Sequence, residues 1–182
     1  MDKEKIKKLA ELLGEPVWRI KEALGIGCDK DYSSSSDNEL KIDFRDSAPD
    51  SEEEYFIQKE LERRLEIEIS SGVFNRIRDA YFLALELELE KTKLKALQAW
   101  DDLSLEEVNK ASSYEEIKTA CNRGPKAGRA RILAHERKNA ILEEQYNEAE
   151  SLQDYIALFK KASFETNLKS QIAQKIFELL GD

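Results

Sequence analysis

Glycine and proline are scarce in this chain, and their scarcity limits the folds it can adopt. Only seven Gly and three Pro occur in 182 residues, too few for the many turns of a sandwich or barrel. The segment from Val73 to Trp100 contains neither residue. Glu, Lys, Leu and Ala, which favour helices, are abundant. The sequence therefore predicts an all-α fold, either a helical bundle or a short array of helix hairpins, built on one long helix at 73–100.

Residues 1–27 predict a small helical module. Gly14 follows the first helix at a C′ position, and Pro16 suits the first turn of the second helix. The apolar residues at helical spacing are Ile6, Leu9, Leu12, Leu13, Val17, Ile20, Ala23 and Leu24. Two short helices cannot fold alone, so we expect them to need a partner surface.

Residues 28–50 have the composition of an acidic, Ser-rich linker. Between positions 29 and 54 there are ten acidic residues and three basic ones, and few large apolar side chains interrupt them. We therefore expect this segment to be flexible or loosely docked. Leu40, Ile42 and Phe44 alternate with polar residues, which predicts either a short strand or a segment that docks in extended form.

Residues 51–182 predict an α-helical domain. Ser51 and Glu54 form a capping box that begins its first helix. The long helix at 73–100 is expected to bury one stripe of side chains, namely Phe74, Ile77, Tyr81, Ala84, Leu85 and Leu89. Serine caps and breaker residues predict further helices near 104–110, 113–122, 126–148, 151–162 and 165–180.

A weak internal repeat relates residues 108–142 to residues 146–180 at an offset of 38 positions. The pattern N-x-A-x-S ends at Ser113 in one segment and at Ser151 in the other. With these features, residues 104–182 resemble degenerate helical-repeat proteins of the tetratricopeptide or HEAT type. The tetratricopeptide consensus W-x₂-L-G-x₂-Y and its closing Pro are missing. The resemblance implies stacked helix hairpins; an irregular bundle with coincidental caps is the alternative.

Residues 6–26 resemble a helix-turn-helix core. The resemblance is carried by the sequence LAELLGEPVWRIKEALGIG, which occupies positions 9–27. Ala10, Gly14 and Ile20 stand at about the expected relative positions. That resemblance implies that Arg19 and Lys21 face DNA. The segment is also similar to the small ubiquitin-associated type. An exposed Trp18 beside Arg19 would favour contact with a protein, because Trp is enriched at interaction hot spots.

Residues capable of catalysis or metal binding are few. His135 is the one histidine, and the two cysteines, Cys28 and Cys121, lack zinc-ligand spacing. We expect His135 to lie on the surface and Cys121 to be a small buried hydrophobe. No Gly-rich phosphate loop or nucleophile motif is present. We therefore expect no catalytic, cofactor-binding or metal-binding residues, no cofactor, and no enzymatic activity.

A basic cluster is the clearest candidate contact surface. Six basic residues lie within 16 positions, namely Arg123, Lys126, Arg129, Arg131, Arg137 and Lys138. Gly124-Pro125 and Gly128 place its start at a helix N-terminus, where exposed N–H groups would add to anion affinity. The cluster predicts contact with nucleic-acid phosphates or an acidic partner. Alternatively, it is a solvated face that pairs with the chain's own carboxylates, including those of the acidic linker.

These features together favour a non-catalytic adaptor or regulator that binds a protein partner through a groove in its helical array. The alternative is a nucleic-acid-associated regulator that uses residues 123–138 and the N-terminal module. The longest apolar run, Tyr81–Leu85, is far shorter than the ~20 residues of a membrane span. No secretory signal is evident. We therefore expect a cytoplasmic protein without a membrane segment, and no small-molecule substrate is indicated.

Overall fold

The computed structural model describes residues 3–26, 32–49, 51–162 and 166–180. These residues form helices and contain no strand, which confirms the all-α fold. The helices are α1 (Lys3–Leu13), α2 (Val17–Ala23), α3 (Asp37–Asp46), α4 (Glu52–Ser70), α5 (Phe74–Glu86), α6 (Glu90–Lys110), α7 (Tyr114–Arg123), α8 (Arg129–Glu148), α9 (Leu152–Lys161) and α10 (Asn167–Leu180). The chain divides within α6 into two compact units, Met1–Ala96 and Leu97–Asp182. None of the described helices is long and apolar enough to cross a bilayer.

Helices α1 and α2 form the predicted helix pair. Gly14 adopts φ 66° between them, a conformation that glycine reaches without the steric cost of a Cβ atom. The pair encloses a small core of Ile6, Ala10 and Ile20, against which Val17 packs. Such a core is small, so these helices depend on further contacts with the rest of the first unit.

Helix α3 lies where the sequence predicted a linker, and the prediction of a strand or extended segment at 39–45 is wrong. Ser36 caps the helix: its side chain accepts from the Glu39 N–H, and the Glu39 carboxylate accepts from the Ser36 N–H. Leu40 is fully buried and Phe44 packs against the same core, whereas Ile42 is exposed. Leu40 and Phe44 are four residues apart, so a helix places both on one face.

The core of the first unit is built mainly from α3, α4 and α5. Its buried members are Tyr32, Leu40, Ile57, Leu61, Leu65, Ala80, Ala84, Leu87 and Leu89. The Ser51 cap predicted for α4 is present, since the Ser51 side chain accepts from the Glu54 N–H. Helix α4 therefore begins where the sequence indicated, and its Ile57, Leu61 and Leu65 face inward.

The predicted single helix at 73–100 is wrong, because the chain turns at residues 87–89 between α5 and α6. Glu88 has φ 57°, which costs a non-glycine residue about 1–2 kcal/mol. Leu87 and Leu89 are both buried in the first core. Residues two apart in a helix point about 200° away from each other, so a continuous helix could not bury both. Burial of two leucines, at about 1.5–3 kcal/mol each, outweighs the strain.

Ser104 does not cap a separate helix at 104–110, contrary to the prediction. It lies inside α6, which runs on to Lys110, and its hydroxyl donates to the carbonyl of Trp100 at 2.7 Å. The side chain is fully buried, so the bond to the preceding turn satisfies its hydroxyl without water. A Ser-x-x-Glu pattern was here a mid-helix feature rather than a helix start.

The second unit contains two helix hairpins that correspond at the predicted offset of 38. Helix α9 begins 38 residues after α7, and α10 begins 38 residues after α8. Ser113 and Ser151 each form a capping box. Buried side chains also correspond, in the pairs Ile117 and Tyr155, Ala120 and Leu158, Ala130 and Leu168, and Ala134 and Ile172. The kinship with tetratricopeptide or HEAT repeats stays a prediction.

Truncation of two leucines tests the facing of α4 and α5. Leu61 is 1% exposed and Leu85 is 45% exposed, so the expectation that Leu85 lies in the core is wrong. Leu61→Ala should lower the free energy of unfolding by about 2–5 kcal/mol, because it leaves a cavity. Leu85→Ala should lower it by less than about 1 kcal/mol. Urea titration followed by circular dichroism measures both, and similar losses would contradict the assigned faces.

Candidate functional site

A groove lies between α3, α4 and α5 in the first unit, with a volume of about 440 Å³. Buried Leu61, Leu65 and Ala80 form an apolar floor, and Leu83 and exposed Ile67 widen it. Its charged lining residues are Asp37, Lys41, Arg64, Glu68, Arg76 and Asp79. An apolar centre inside a polar rim is the usual anatomy of a protein-binding surface.

Arg64 holds α3, which forms one wall of this groove, in place. From the middle of α4 its guanidinium donates to the backbone carbonyls of Tyr32, Ser33 and Ser35 at 3.3, 3.1 and 2.7 Å. It also donates to the Asp37 carboxylate at 2.6 Å, at the start of α3. Since these groups precede or begin α3, one side chain fixes where that helix lies against α4.

Glu60 completes the anchor from the preceding turn of α4. Its carboxylate accepts from Arg63 at 2.7 and 2.8 Å and from Arg64 Nε at 2.8 Å. These bonds lower the pKa of Glu60 to about 2, and those from Arg63 make the largest contribution. The charged carboxylate in turn orients the Arg64 guanidinium toward the 32–37 segment.

The rim of the groove carries charges of both signs in equal number. Arg64 pairs with Asp37, and Arg76 Nε lies 3.6 Å from Glu68 Oε2. Phosphate recognition requires an excess of positive charge, which this rim lacks. The groove therefore suits a protein segment with an apolar side and a mixed polar edge rather than a nucleic-acid backbone.

The N-terminal candidates Trp18 and Arg19 are engaged within the first unit. Trp18 is half-buried rather than exposed, and its ring stacks on Tyr55 of α4 with centroids 4.2 Å apart. The Arg19 guanidinium lies 5.3 Å from the Trp18 ring and pairs with Glu15 at 2.8 Å. Trp18 thus contributes to the docking of α2 on α4, which is the partner surface that this helix pair needed.

Lys21 is also engaged, which bears on the helix-turn-helix interpretation. Its ammonium donates to Glu52 Oε1 at 2.5 Å and is largely buried. The adjacent residue of α2 is Glu22, whose carboxylate pairs with Lys59 of α4. The α2 side chains that were expected to face DNA therefore face acidic residues or α4 instead.

The basic cluster does not form one face. Arg131 and Lys138 are seven residues apart, so they share one side of α8. Arg129 lies on a different side, pairing with Asp101 at 3.0 Å and also with Asp102. Arg137 donates to the carbonyls of Val108, Asn109 and Ala111, at the end of α6. Four of the six predicted residues are thus divided among different surroundings.

The remaining members of the cluster differ in exposure. Arg123 lies 3.5 Å from Glu107 Oε1 and borders a shallow depression that is lined mostly by polar residue types between positions 107 and 123. Lys126 is exposed and Lys138 half-buried, and neither pairs with a carboxylate of the described residues. Arg131 is half-buried, and its Nε has no hydrogen-bond partner among the described residues. Three of six members, Arg123, Arg129 and Arg137, therefore bind groups of this chain.

The N-terminus of α8 is capped by a carboxylate of the chain itself, which corrects the expectation of free N–H groups there. Asp101 accepts from the N–H groups of Arg129 and Ala130 at 3.1 and 3.2 Å. A Cβ on Gly128 would lie 2.2 Å from Asp101 Oδ1, so this approach requires glycine. The helix end that was expected to attract an anion already holds one.

Cys121 and His135 lie as the sequence indicated. Cys121 is buried in a core with Val108, Ile117, Ala120 and Ala134, and His135 is exposed. No group of three or more His, Cys, Asp or Glu side chains that could hold a metal ion occurs among the described residues.

The sequence reasoning missed the groove because it assigned α3 to a linker. The signal was the capping box Ser36-x-x-Glu39, followed by Leu40 and Phe44 at helical spacing. Leu61 and Leu65 lie on the buried face of α4, and a groove over that face could not be predicted without α3 beside it.

No protein-family model, curated protein sequence or solved structure matches this chain.

Neutralising Glu60 tests the anchor of the groove. The folded pKa of about 2 is below the ordinary value of 4.5, so the ionised carboxylate stabilises the fold above about pH 4.5. This contribution is lost as the pH falls toward 2. Glu60→Gln should therefore be less stable than the unchanged chain near neutral pH, with the difference shrinking on acidification. Urea titrations across this range measure it, with exposed Glu143→Gln as control; a pH-independent difference would contradict the mechanism.

Exchange of two neighbouring aspartates tests the cap on α8. Asp101→Asn should lower the free energy of unfolding by about 1–2 kcal/mol, because it weakens the bonds to two helix N–H groups. Asp102→Asn removes only an exposed pair with Arg129 and should cost less than about 0.5 kcal/mol. Thermal unfolding compares the two variants, and equal losses would show that Asp101 has no special role.

Proposed function

We propose that this protein is a non-catalytic adaptor or regulator that binds an amphipathic helix of a protein partner in the α3–α4–α5 groove. The observation that carries the proposal is the groove itself, with its floor of Leu61, Leu65 and Ala80. Amphipathic helices place apolar residues at i, i+3, i+4 and i+7 into grooves of this kind. The groove lies outside residues 104–182, where the repeat resemblance had placed the binding surface.

Charge supports a protein partner over nucleic acid. The rim of the groove carries as many acidic as basic side chains, so a peptide with both signs at its edges is matched without net repulsion. In the basic cluster, Arg123, Arg129 and Arg137 serve contacts within the second unit. Half of the cluster's six positive charges are therefore already used within the chain, which is why the adaptor is proposed in preference to the nucleic-acid alternative.

A photo-reactive benzophenone amino acid at Ile67 tests the proposal. Ile67 lines the groove, whereas Phe82 of α5 does not, and both side chains are about half exposed. On illumination in native lysate, the probe at Ile67 should form a discrete protein adduct that is absent with the probe at Phe82. The adduct should survive nuclease treatment and disappear in a variant carrying Leu83→Arg, which fills the groove with a charge.

Two outcomes would overturn the proposal. Adducts of equal yield at Ile67 and Phe82 would indicate non-specific capture by exposed apolar residues. An Ile67 adduct that nuclease removes would replace the adaptor by the nucleic-acid-associated alternative. Circular dichroism of the Leu83→Arg variant checks that its fold is retained, because Leu83 is half-buried.

A further inference from the structure

Helix α1 exposes an apolar side that also carries lysines. Leu12 is 81% exposed, Leu13 60% and Leu9 37%. Lys5 and Lys8 are exposed as well. Each of these five residues is three or four positions from another of them, so they lie on one side of the helix and form the α1 face. A group of exposed apolar side chains of this kind marks contact with a protein or a membrane.

The α1 face is positively charged. Neither Lys5 nor Lys8 pairs with a carboxylate of the described residues. The acidic residues of α1 are Glu4 and Glu11. At 100° of rotation per residue, Lys8 lies between them and the leucines around the helix. The face therefore joins three leucines to two unpaired ammonium groups and contains no acidic residue.

The α1 face stays open because the helix pair docks through α2. Trp18 of α2 stacks on Tyr55 of α4. Helix α1 packs on α2 in turn, where Ile6 and Ala10 share a small core with Ile20. The two buried residues of α1 thus serve the fold, and the exposed leucines beside them are left for another contact.

Shape and charge together favour an anionic membrane surface as that contact. The face belongs to a single helix, so it curves outward, and a lipid interface can adapt to a convex surface. Lysine stems lie along apolar surface while their ammonium groups stay among the headgroups. Exposed leucines next to lysines are typical of helices that lie in the membrane interface.

The net charge of −9 does not oppose this contact. The carboxylates of the helix pair nearest to α2 are engaged, since Glu15 pairs with Arg19 and Glu22 with Lys59. Charges farther than about 8 Å from the headgroups are largely screened at physiological ionic strength. The local charge of the α1 face therefore decides the attraction.

We propose that α1 lies on membranes that contain anionic lipids, with its axis along the surface and Leu9, Leu12 and Leu13 inserted between headgroups and acyl chains. The helix has 11 residues and is ~16 Å long, so it lies on the bilayer and does not cross the ~30 Å core. Each lysine near the surface raises the affinity about fivefold. The proposal is independent of the groove and of the function proposed for it.

Cosedimentation of the full chain with lipid vesicles tests the charge requirement. The chain should bind vesicles of phosphatidylcholine with about 30% phosphatidylserine but not phosphatidylcholine alone, and added salt should release it. Lys5→Glu changes two units of charge and should weaken binding about thirtyfold. Lys7→Glu is the matched control, because Lys7 is exposed on the opposite side of α1, and it should weaken binding less than about threefold.

A second pair of variants tests the apolar contact. Leu12→Glu should weaken vesicle binding more than tenfold, because it removes the most exposed leucine of the face. Ile132→Glu should leave binding unchanged, because Ile132 is an exposed apolar residue of α8. Circular dichroism should show all four variants folded, since all four side chains are exposed.

Three outcomes would overturn the proposal. The first is no binding to either vesicle, and the second is equal binding to both. The third is equal loss of binding in Lys5→Glu and Lys7→Glu. If vesicles fail to bind and a benzophenone amino acid at Leu12 captures a discrete protein in lysate, the α1 face belongs to an acidic protein partner instead.

The orientation of α1 has its own test. A dansyl amino acid in place of Leu12 should shift its emission to shorter wavelength when the phosphatidylserine vesicles are added, because it enters an apolar environment. The same amino acid in place of exposed Glu11, which lies beyond Lys8 from the leucines, should shift much less. Equal shifts at the two positions would contradict insertion of the leucines.

Discussion

The ends of the helices are the constraint on which this structure depends, because each end leaves backbone N–H or C=O groups without partners. Serine caps satisfy the starts of four helices, namely Ser36 for α3, Ser51 for α4, Ser113 for α7 and Ser151 for α9. Charged side chains satisfy other ends: Asp101 binds the start of α8, and Arg137 binds the end of α6. Where a helix starts is therefore set by polar contacts more than by the small apolar cores.

The same contacts determine which charges remain for a partner. Arg129 and Arg137 lie in the sequence cluster that predicted a polyanion site, yet they hold α8 to groups of α6. Arg64 similarly serves the 32–37 segment and so shapes the groove rather than a ligand contact. Many of its charged side chains therefore serve the architecture, because the backbone groups at helix ends need side-chain partners.

The contact surface proposed for a protein partner offers apolar area without an excess of either charge. The groove has a floor of buried side chains inside a rim that carries equal numbers of acidic and basic side chains. Desolvating such a surface costs little, because few unpaired charges must lose water. The groove is therefore suited to contact with a helix of a protein partner.

Local rules predicted much of the helix pattern. Gly14, Ser51, Ser113 and Ser151 marked helix boundaries correctly, because a cap or a positive φ depends on neighbouring residues alone. The offset of 38 residues was likewise visible in the sequence. In the structure, residues that correspond at this offset, such as Ile117 and Tyr155, are both buried. The sequence was less informative for α3, where alternating Leu40, Ile42 and Phe44 fit a strand as well as a helix.

What the sequence by itself determined was the helical class, most helix starts and the spacing of the two hairpins, since these follow from caps and periodicity. Tertiary structure decided the turn at Glu88, because the turn lets both Leu87 and Leu89 be buried in the core of the first unit, which stabilises it. It also decided that Ser104 lies inside a helix and that Leu85 faces outward. Whether a charged side chain is paired within the fold also depended on residues distant in the chain, as in the pair between Asp101 and Arg129. Such contacts join residues far apart in the chain, and no local pattern encodes them.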